Sequence, residues 1–272
     1  PYTPLFDAAG YFVAHADNYR DLAADSLYVR AYLDSLGIAA VATLIALLIG
    51  YPIASAIARA SERWRGFLLL LVALPFWTSL LVRIYAWIGL LRPTGIINSM
   101  LTSIGVIDAP LHLLNTPGAV YLGIVYAYLP FMVLPLYARL ERMDPSLREA
   151  ASDLGATPWR AFLAVTLPLS APGILAGCLL VFIPAVGEFV IPDLMGGPDT
   201  VMIGRVLWGE FFSNRDWPAA SAVAVILLLI LVIPIVIITT AEALRAVPHS
   251  IREAGFGVGA DRKSTRLNSS HI

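Results

Sequence analysis

The chain has 272 residues, of which 58% are apolar and 14% charged, and its mean hydropathy is +0.77. Soluble domains carry about 25% charged residues, so an ordinary cytoplasmic globular protein is excluded. Eighteen basic against nineteen acidic residues give a formal charge of −1. That balance provides no basic field to gather phosphates and argues against nucleic acid as a partner. The one cysteine, Cys178, lies in an apolar run and allows neither an internal disulfide nor a cysteine-rich metal site.

A helix needs roughly 20 apolar residues to cross the hydrocarbon core, where its backbone must satisfy its own hydrogen bonds. Five segments qualify, at about 36–58, 66–91, 119–138, 168–191 and 217–241, and predict an all-α polytopic membrane protein. The arginine-rich connections, with Arg59, Arg63, Arg65, Arg139, Arg142, Arg148 and Arg160, face the cytoplasm by the positive-inside rule. The opposite side holds most of the acids, among them Asp25, Asp34, Asp108, Asp193, Asp199, Glu210 and Asp216. This orientation puts residues 1–35 outside, read as a segment following a missing first span, so that six spans are inferred. Residues 247–260 read as a cytoplasmic tail. The polar string 261–272 looks like the translation of a sequencing adaptor and is set aside.

The cytoplasmic loop 139–167 carries the sharpest local signal. Ser146 and Glu149 have capping-box spacing, and Leu147, Ala150, Ala151 and Leu154 follow at i, i+3, i+4 and i+7. Gly155 is placed to stop the helix in a left-handed turn, and Thr157-Pro158 to start another. A helix of about two turns is not stable alone, so its apolar stripe needs a surface: the protein's own spans or the groove of a partner.

Glu149-Ala150-Ala151, Gly155, Val165 and Leu167-Pro168 resemble the EAA loop of importer-type ABC transporter permeases, with Val165 where isoleucine is commonest. Around it, Pro75-Phe76-Trp77-Thr78-Ser79, Arg83-Ile84-Tyr85-Ala86-Trp87 and Gly187-Glu188-Phe189 are similar to the polyamine (putrescine and spermidine) branch, nearest to putrescine permeases. The resemblance runs from about Tyr19 to Ala246. It implies a type I importer transmembrane domain in a bacterial inner membrane and a coupling helix (Glu149, Ala150, Ala151, Leu154, Gly155) docking on a dimer of ATPase subunits. It also implies a second permease subunit and a periplasmic polyamine-binding protein.

The residues agree with such a division of labour. The chain has no G-x-x-x-x-G-K-S/T motif and its only lysine is Lys263, so ATP and magnesium are expected on a partner. The four histidines are scattered, no G-x-S-x-G elbow is present, and neither a catalytic site nor a metal or cofactor site is predicted. Ionisable groups inside spans are costly, and only Arg83 and Glu188 qualify. Glu188, between Pro184 and Pro192 where the helix is expected to kink or break, either meets a cationic cargo or pairs with Arg83. Trp77, Tyr85, Trp87 and Phe189 offer ring faces to an ammonium group, or else sit at the membrane interface. Asp193, Asp199 and Asp216 either attract a cation, pair with the binding protein or are simply solvated. Two other readings stay open: a secondary carrier for an organic cation, and a non-transporting membrane scaffold.

Overall fold

The computed structural model describes residues 17–198 and 200–245, with twelve α-helices and no strand among the described residues. A short helix, α1 (Asp17–Ala24), leads into α2 (Ser26–Arg59), whose first turn is capped by Asp25 Oδ1 accepting from the Leu27 N–H at 2.8 Å. At 1.5 Å per residue α2 is about 51 Å long, more than the hydrocarbon core needs.

The buried face of α2 is built from small residues: Ala31, Ser35, Ala39, Ala42, Ala46, Gly50 and Ala54. Its large side chains, Leu33, Leu44 and Leu48, point outward. This reverses the pattern of a soluble helix. Lipid tails are as apolar as leucine, so helices associate where small residues let backbones close in and van der Waals contact build up.

The expected span at 66–91 is not one helix. It consists of α3 (Glu62–Ala73), a 3₁₀ turn at Leu74–Trp77, and α4 (Leu80–Leu91). Pro75 brings no N–H and sits in the 3₁₀ turn, Thr78 is extended, and the Thr78 hydroxyl donates to the Pro75 carbonyl at 2.9 Å. After α4 the chain turns into α5 (Ile96–Ser103). There the buried Asn98 side chain donates to the Arg92 and Leu111 carbonyls and accepts from the Leu111 N–H, pinning the following loop. Four stretches are long and apolar enough to cross a membrane: Ser26–Arg59, Leu80–Ser103, Pro117–Glu141 and Pro158–Val186; Trp217–Ile233 is a shorter apolar helix.

Helix α6 (Pro117–Glu141) starts on a Thr116 cap with proline at its first position. After the loop helices α7 (Ser146–Asp153) and α8 (Pro158–Ala161), a π-helical turn at Phe162–Thr166 leads into α9 (Leu167–Val186). Helices α2, α6 and α9 pack against one another as the core. Met132 of α6 is fully buried at their meeting point: a Cβ on Gly50 of α2 would lie 2.8 Å from its Cγ, and one on Gly177 of α9 2.8 Å from its Sδ. The Tyr51 hydroxyl shares a 3.0 Å hydrogen bond with Ser170 Oγ, joining α2 to α9, and Arg65 bonds Glu141 at 2.7 Å, joining α3 to α6.

The expected span 168–191 ends early, at Val186, and continues after a break as α10 (Val190–Met195), then α11 (Ile203–Trp208) and a π-helical turn at Gly209–Asn214. The last helix, α12 (Trp217–Arg245), is capped by Asp216 Oδ1 accepting from the Ala219 N–H at 3.1 Å. Contacts divide the chain into two units, one ending at Ala220 and one beginning at Ser221; the second presents Leu228, Leu229, Ile233 and Val236 outward. Asp199 and residues 246–272, including the tail and adaptor-like string, lie outside the described residues.

Replacing Gly177 by valine drives side-chain atoms into Met132 and is expected to cost about 1–3 kcal/mol, as overpacking does. A drop in the melting temperature of the detergent-purified protein checks this. Gly89→Ala, which meets only open space, is the matched control.

Candidate functional site

The described residues present two candidate regions, one at the cytoplasmic end and one at the break after α9. Helix α7 forms where the EAA spacing predicts it, but not by a capping box. Ser146 is already the first helical residue, and it is Asp144 Oδ1 that accepts from the Ser146 N–H, at 2.9 Å. The carboxyl of Asp144 is held below its ordinary value by that N–H first and by the Ser146 hydroxyl second. Proline at 145 displaces the start of the helix by one residue, so the Ser146 hydroxyl faces Asp144 rather than the N–H of Glu149.

Gly155 ends α7 with φ +81°, and the Gly155 and Ala156 N–H groups close onto the Ser152 and Ala151 carbonyls. Thr157 Oγ1 then accepts from the Arg160 N–H and starts α8. The apolar stripe is uncovered. Leu154 is 89% exposed and Leu147 45%, Ala150 is exposed and Ala151 half-buried. The protein's own spans therefore do not supply the surface this stripe needs. From α7 the chain passes through α8 and the π-turn directly into α9, so the loop helix is mounted on the base of a helix about 30 Å long.

At the far end of α9, Gly187 and Glu188 break the helix between Pro184 and Pro192. Glu188 is only 7% exposed. Its Oε1 accepts from the N–H groups of Phe189, Val190 and Ile191 at 3.1, 3.0 and 3.4 Å, and its Oε2 accepts from the Tyr128 hydroxyl of α6. The carboxylate thus gathers the N–H groups freed at the start of α10, where its negative charge suits the helix dipole. Gly204 of α11 lies against this break so closely that a Cβ would fall 2.4 Å from the Gly187 carbonyl oxygen. The Ile203 N–H donates to Ser35 Oγ at 2.7 Å and fixes α11 to α2.

Of the two alternatives for Glu188, pairing with Arg83 is not found. The Arg83 guanidinium lies 6.0 Å from the Tyr126 ring centroid, and its buried Nε and Nη1 have no hydrogen-bond partner among the described residues. Phe189 stacks on Trp208, centroids 4.5 Å apart and planes within 10°, and Trp208 continues to Phe212 at 4.1 Å. Trp87 packs edge-on to Tyr126. Trp77 is 80% exposed and Tyr85 59%. Asp193 is not a free acid, since it pairs with Arg205 at 3.1 Å, and Asp216 is engaged in capping α12.

The structure thus joins Glu188 and Phe189 to Tyr128 and Trp208, which sequence reasoning did not single out. Tyr128 falls at the centre of an apolar span, and only the fold turns it toward residue 188. No group of three or more metal-binding side chains occurs among the described residues.

The family model for the inner membrane component of binding-protein-dependent transport systems matches residues 50–236. The chain is 47% identical over 208 residues to the spermidine/putrescine transport system permease protein PotB of Haemophilus influenzae, covering 76% of this chain and 72% of that one. Against PotB of Escherichia coli the identity is 46%, covering 76% and 75%. The molybdenum transport system permease protein ModB of Azotobacter vinelandii is more distant, at 32% over 163 residues, covering 60% of this chain and 70% of that one. Among solved structures, a bacterial ABC transporter importing the acidic polysaccharide alginate matches with a TM-score of 0.68 at 20% identity, covering 90% of this chain and 87% of that one, which shows a shared fold. An uncovered loop helix carrying the EAA spacing, apolar helices packed through small residues, and the match over most of the chain agree. The protein belongs to the multi-pass inner-membrane permease family of binding-protein-dependent ABC importers.

Proposed function

We propose that this permease subunit imports a polyamine of the spermidine and putrescine class, and that α7 is the handle by which a separate ATPase dimer, carrying ATP and magnesium, drives it. The observation that carries the reading is the bare stripe of α7, with Leu154 89% exposed beside a left-handed glycine stop. A two-turn helix with its apolar side in water calls for a docking groove. In this mechanism, closure of the ATPase dimer displaces α7, the π-turn at Phe162–Thr166 passes the displacement to α9, and the break at Gly187–Phe189 opens or closes the path. A second permease subunit supplies the other wall, and a periplasmic binding protein delivers the cargo. Glu188 is followed in the chain by Phe189, whose ring stacks on Trp208, and a carboxylate and aromatic rings are the groups that hold alkylammonium ions.

The relatives named for spermidine and putrescine together support the cargo class. The preference for putrescine that the sequence resemblance implies is a narrower reading, separated by competing the two labelled amines in one uptake assay.

Leu154→Asp places a charge on the stripe without disturbing packing, because the side chain touches little of its own chain. In proteoliposomes holding the complete importer it is expected to cut uptake tenfold or more, the cost of burying a charge at an apolar contact being well above 1.4 kcal/mol. Gly155→Asp, which also forces a Cβ into the left-handed stop, is expected to abolish uptake while ATP hydrolysis continues uncoupled. Normal uptake by both variants overturns docking at this loop.

For Glu188→Gln, loss of one charged partner is expected to raise the KM for polyamine uptake by about tenfold, the worth of a charge-assisted hydrogen bond of roughly 1.5 kcal/mol. A variant with a lowered melting temperature but an unchanged KM would make Glu188 a cap alone.

A further inference from the structure

Behind α7 a cavity of about 380 Å³ opens between the cytoplasmic ends of α2, α3 and α6. Guanidinium groups line it from three separate elements: Arg59 on the last turn of α2, Arg65 on the first turn of α3, and Arg148 on α7. The hydroxyl-bearing Ser55 and Thr166 also line it, and its one carboxylate is Glu141. Three cations against one anion leave an excess of two positive charges.

Glu141 is already taken by Arg65, at 2.7 Å. Arg65 spends its Nη2 on the Ala58 and Ala60 carbonyls, yet its buried Nε–H has no partner among the described residues. Neither Arg59 nor Arg148 enters an ion pair among the described residues. An adjoining cavity of about 450 Å³ shares both arginines and brings Glu149 and Asp153 to its rim, but neither acid comes within ion-pair distance of them. Like charges drawn together with spare donors and hydroxyls fit a compact anion with several acceptor oxygens, and guanidinium forks match the geometry of a phosphate. The site lies at the cytoplasmic ends of apolar helices, with Phe67, Leu70 and Leu71 exposed along α3 next to Arg65. Acyl chains can lie against those residues, which favours a lipid over a soluble phosphate.

We infer that this cavity binds the phosphate headgroup of an anionic phospholipid from the cytoplasmic leaflet. The bound lipid bridges α7 to the ends of α2 and α3 and sets the position of the docking helix; this consequence rests on the reading of α7 as the handle, whereas lipid binding itself does not.

The test is to prepare the complete importer from membranes containing phosphatidylglycerol and to measure, by mass spectrometry, the lipid retained through detergent purification. The double variant Arg59→Gln with Arg148→Gln is expected to retain about thirtyfold less, the equivalent of the roughly 2 kcal/mol that two basic residues contribute near an anionic surface. Arg63→Gln, an exposed arginine on the same face that lines neither cavity, is expected to retain as much as the parent. In proteoliposomes, uptake by the parent is expected to rise with the phosphatidylglycerol content, and the double variant to lose that dependence. Equal losses from the double variant and Arg63→Gln, which mean diffuse attraction, or no loss from either, overturn the site. Inorganic phosphate restoring uptake in pure phosphatidylcholine overturns the lipid as its occupant. Failure of the docking reading is separately visible as normal uptake by Leu154→Asp, with lipid retention still decided by the arginine variants.

Discussion

Within a bilayer no water is at hand to take up a backbone N–H that a helix leaves unpaired, so every interruption of a membrane helix has to be satisfied from inside the protein. The break after α9 meets this demand with one side chain. Glu188 collects three consecutive N–H groups on one carboxylate oxygen and the Tyr128 hydroxyl on the other. Four donors around an ionised group offset much of the cost of its burial, and the same contacts tie α10 to α6. The missing Cβ of Gly204 lets α11 close over the interruption.

The membrane environment also decides which residues make the core. Burying leucine gains little when the alternative is lipid, so α2 turns alanine, serine and glycine inward and leucine outward. Close approach becomes the source of cohesion, and one flexible side chain, Met132, fills the junction that the glycines of α2 and α9 leave open.

At the cytoplasmic end the two sides of α7 differ in character. One carries the exposed apolar stripe, and the other closes a basic cavity with the ends of α2, α3 and α6. The helix leads through α8 and the π-turn into the base of α9, and its apolar side is exposed.

Much of this was legible in one dimension. Charge-free runs mark α2, α6 and α9 because hydrocarbon tolerates little else, and the left-handed stop at Gly155 follows from the one residue that adopts φ +81° without strain. The EAA spacing fixed the place of α7 and the family. Three matters came only from the folded chain, two through local backbone geometry and one through tertiary packing. Residues 66–91 read as one span because hydropathy is blind to backbone hydrogen bonding, whereas Pro75 and Thr78 divide them. The start of α7 depends on Asp144 rather than a capping box, a choice made by the geometry of Pro145 that spacing does not encode. The side-chain partner of Glu188 and the ring beside Arg83 both come from α6, far away in sequence: Tyr128 lies 60 residues before Glu188, and Tyr126 faces Arg83. A side chain's type tells what it can bond, but only packing brings the other half of the bond within reach.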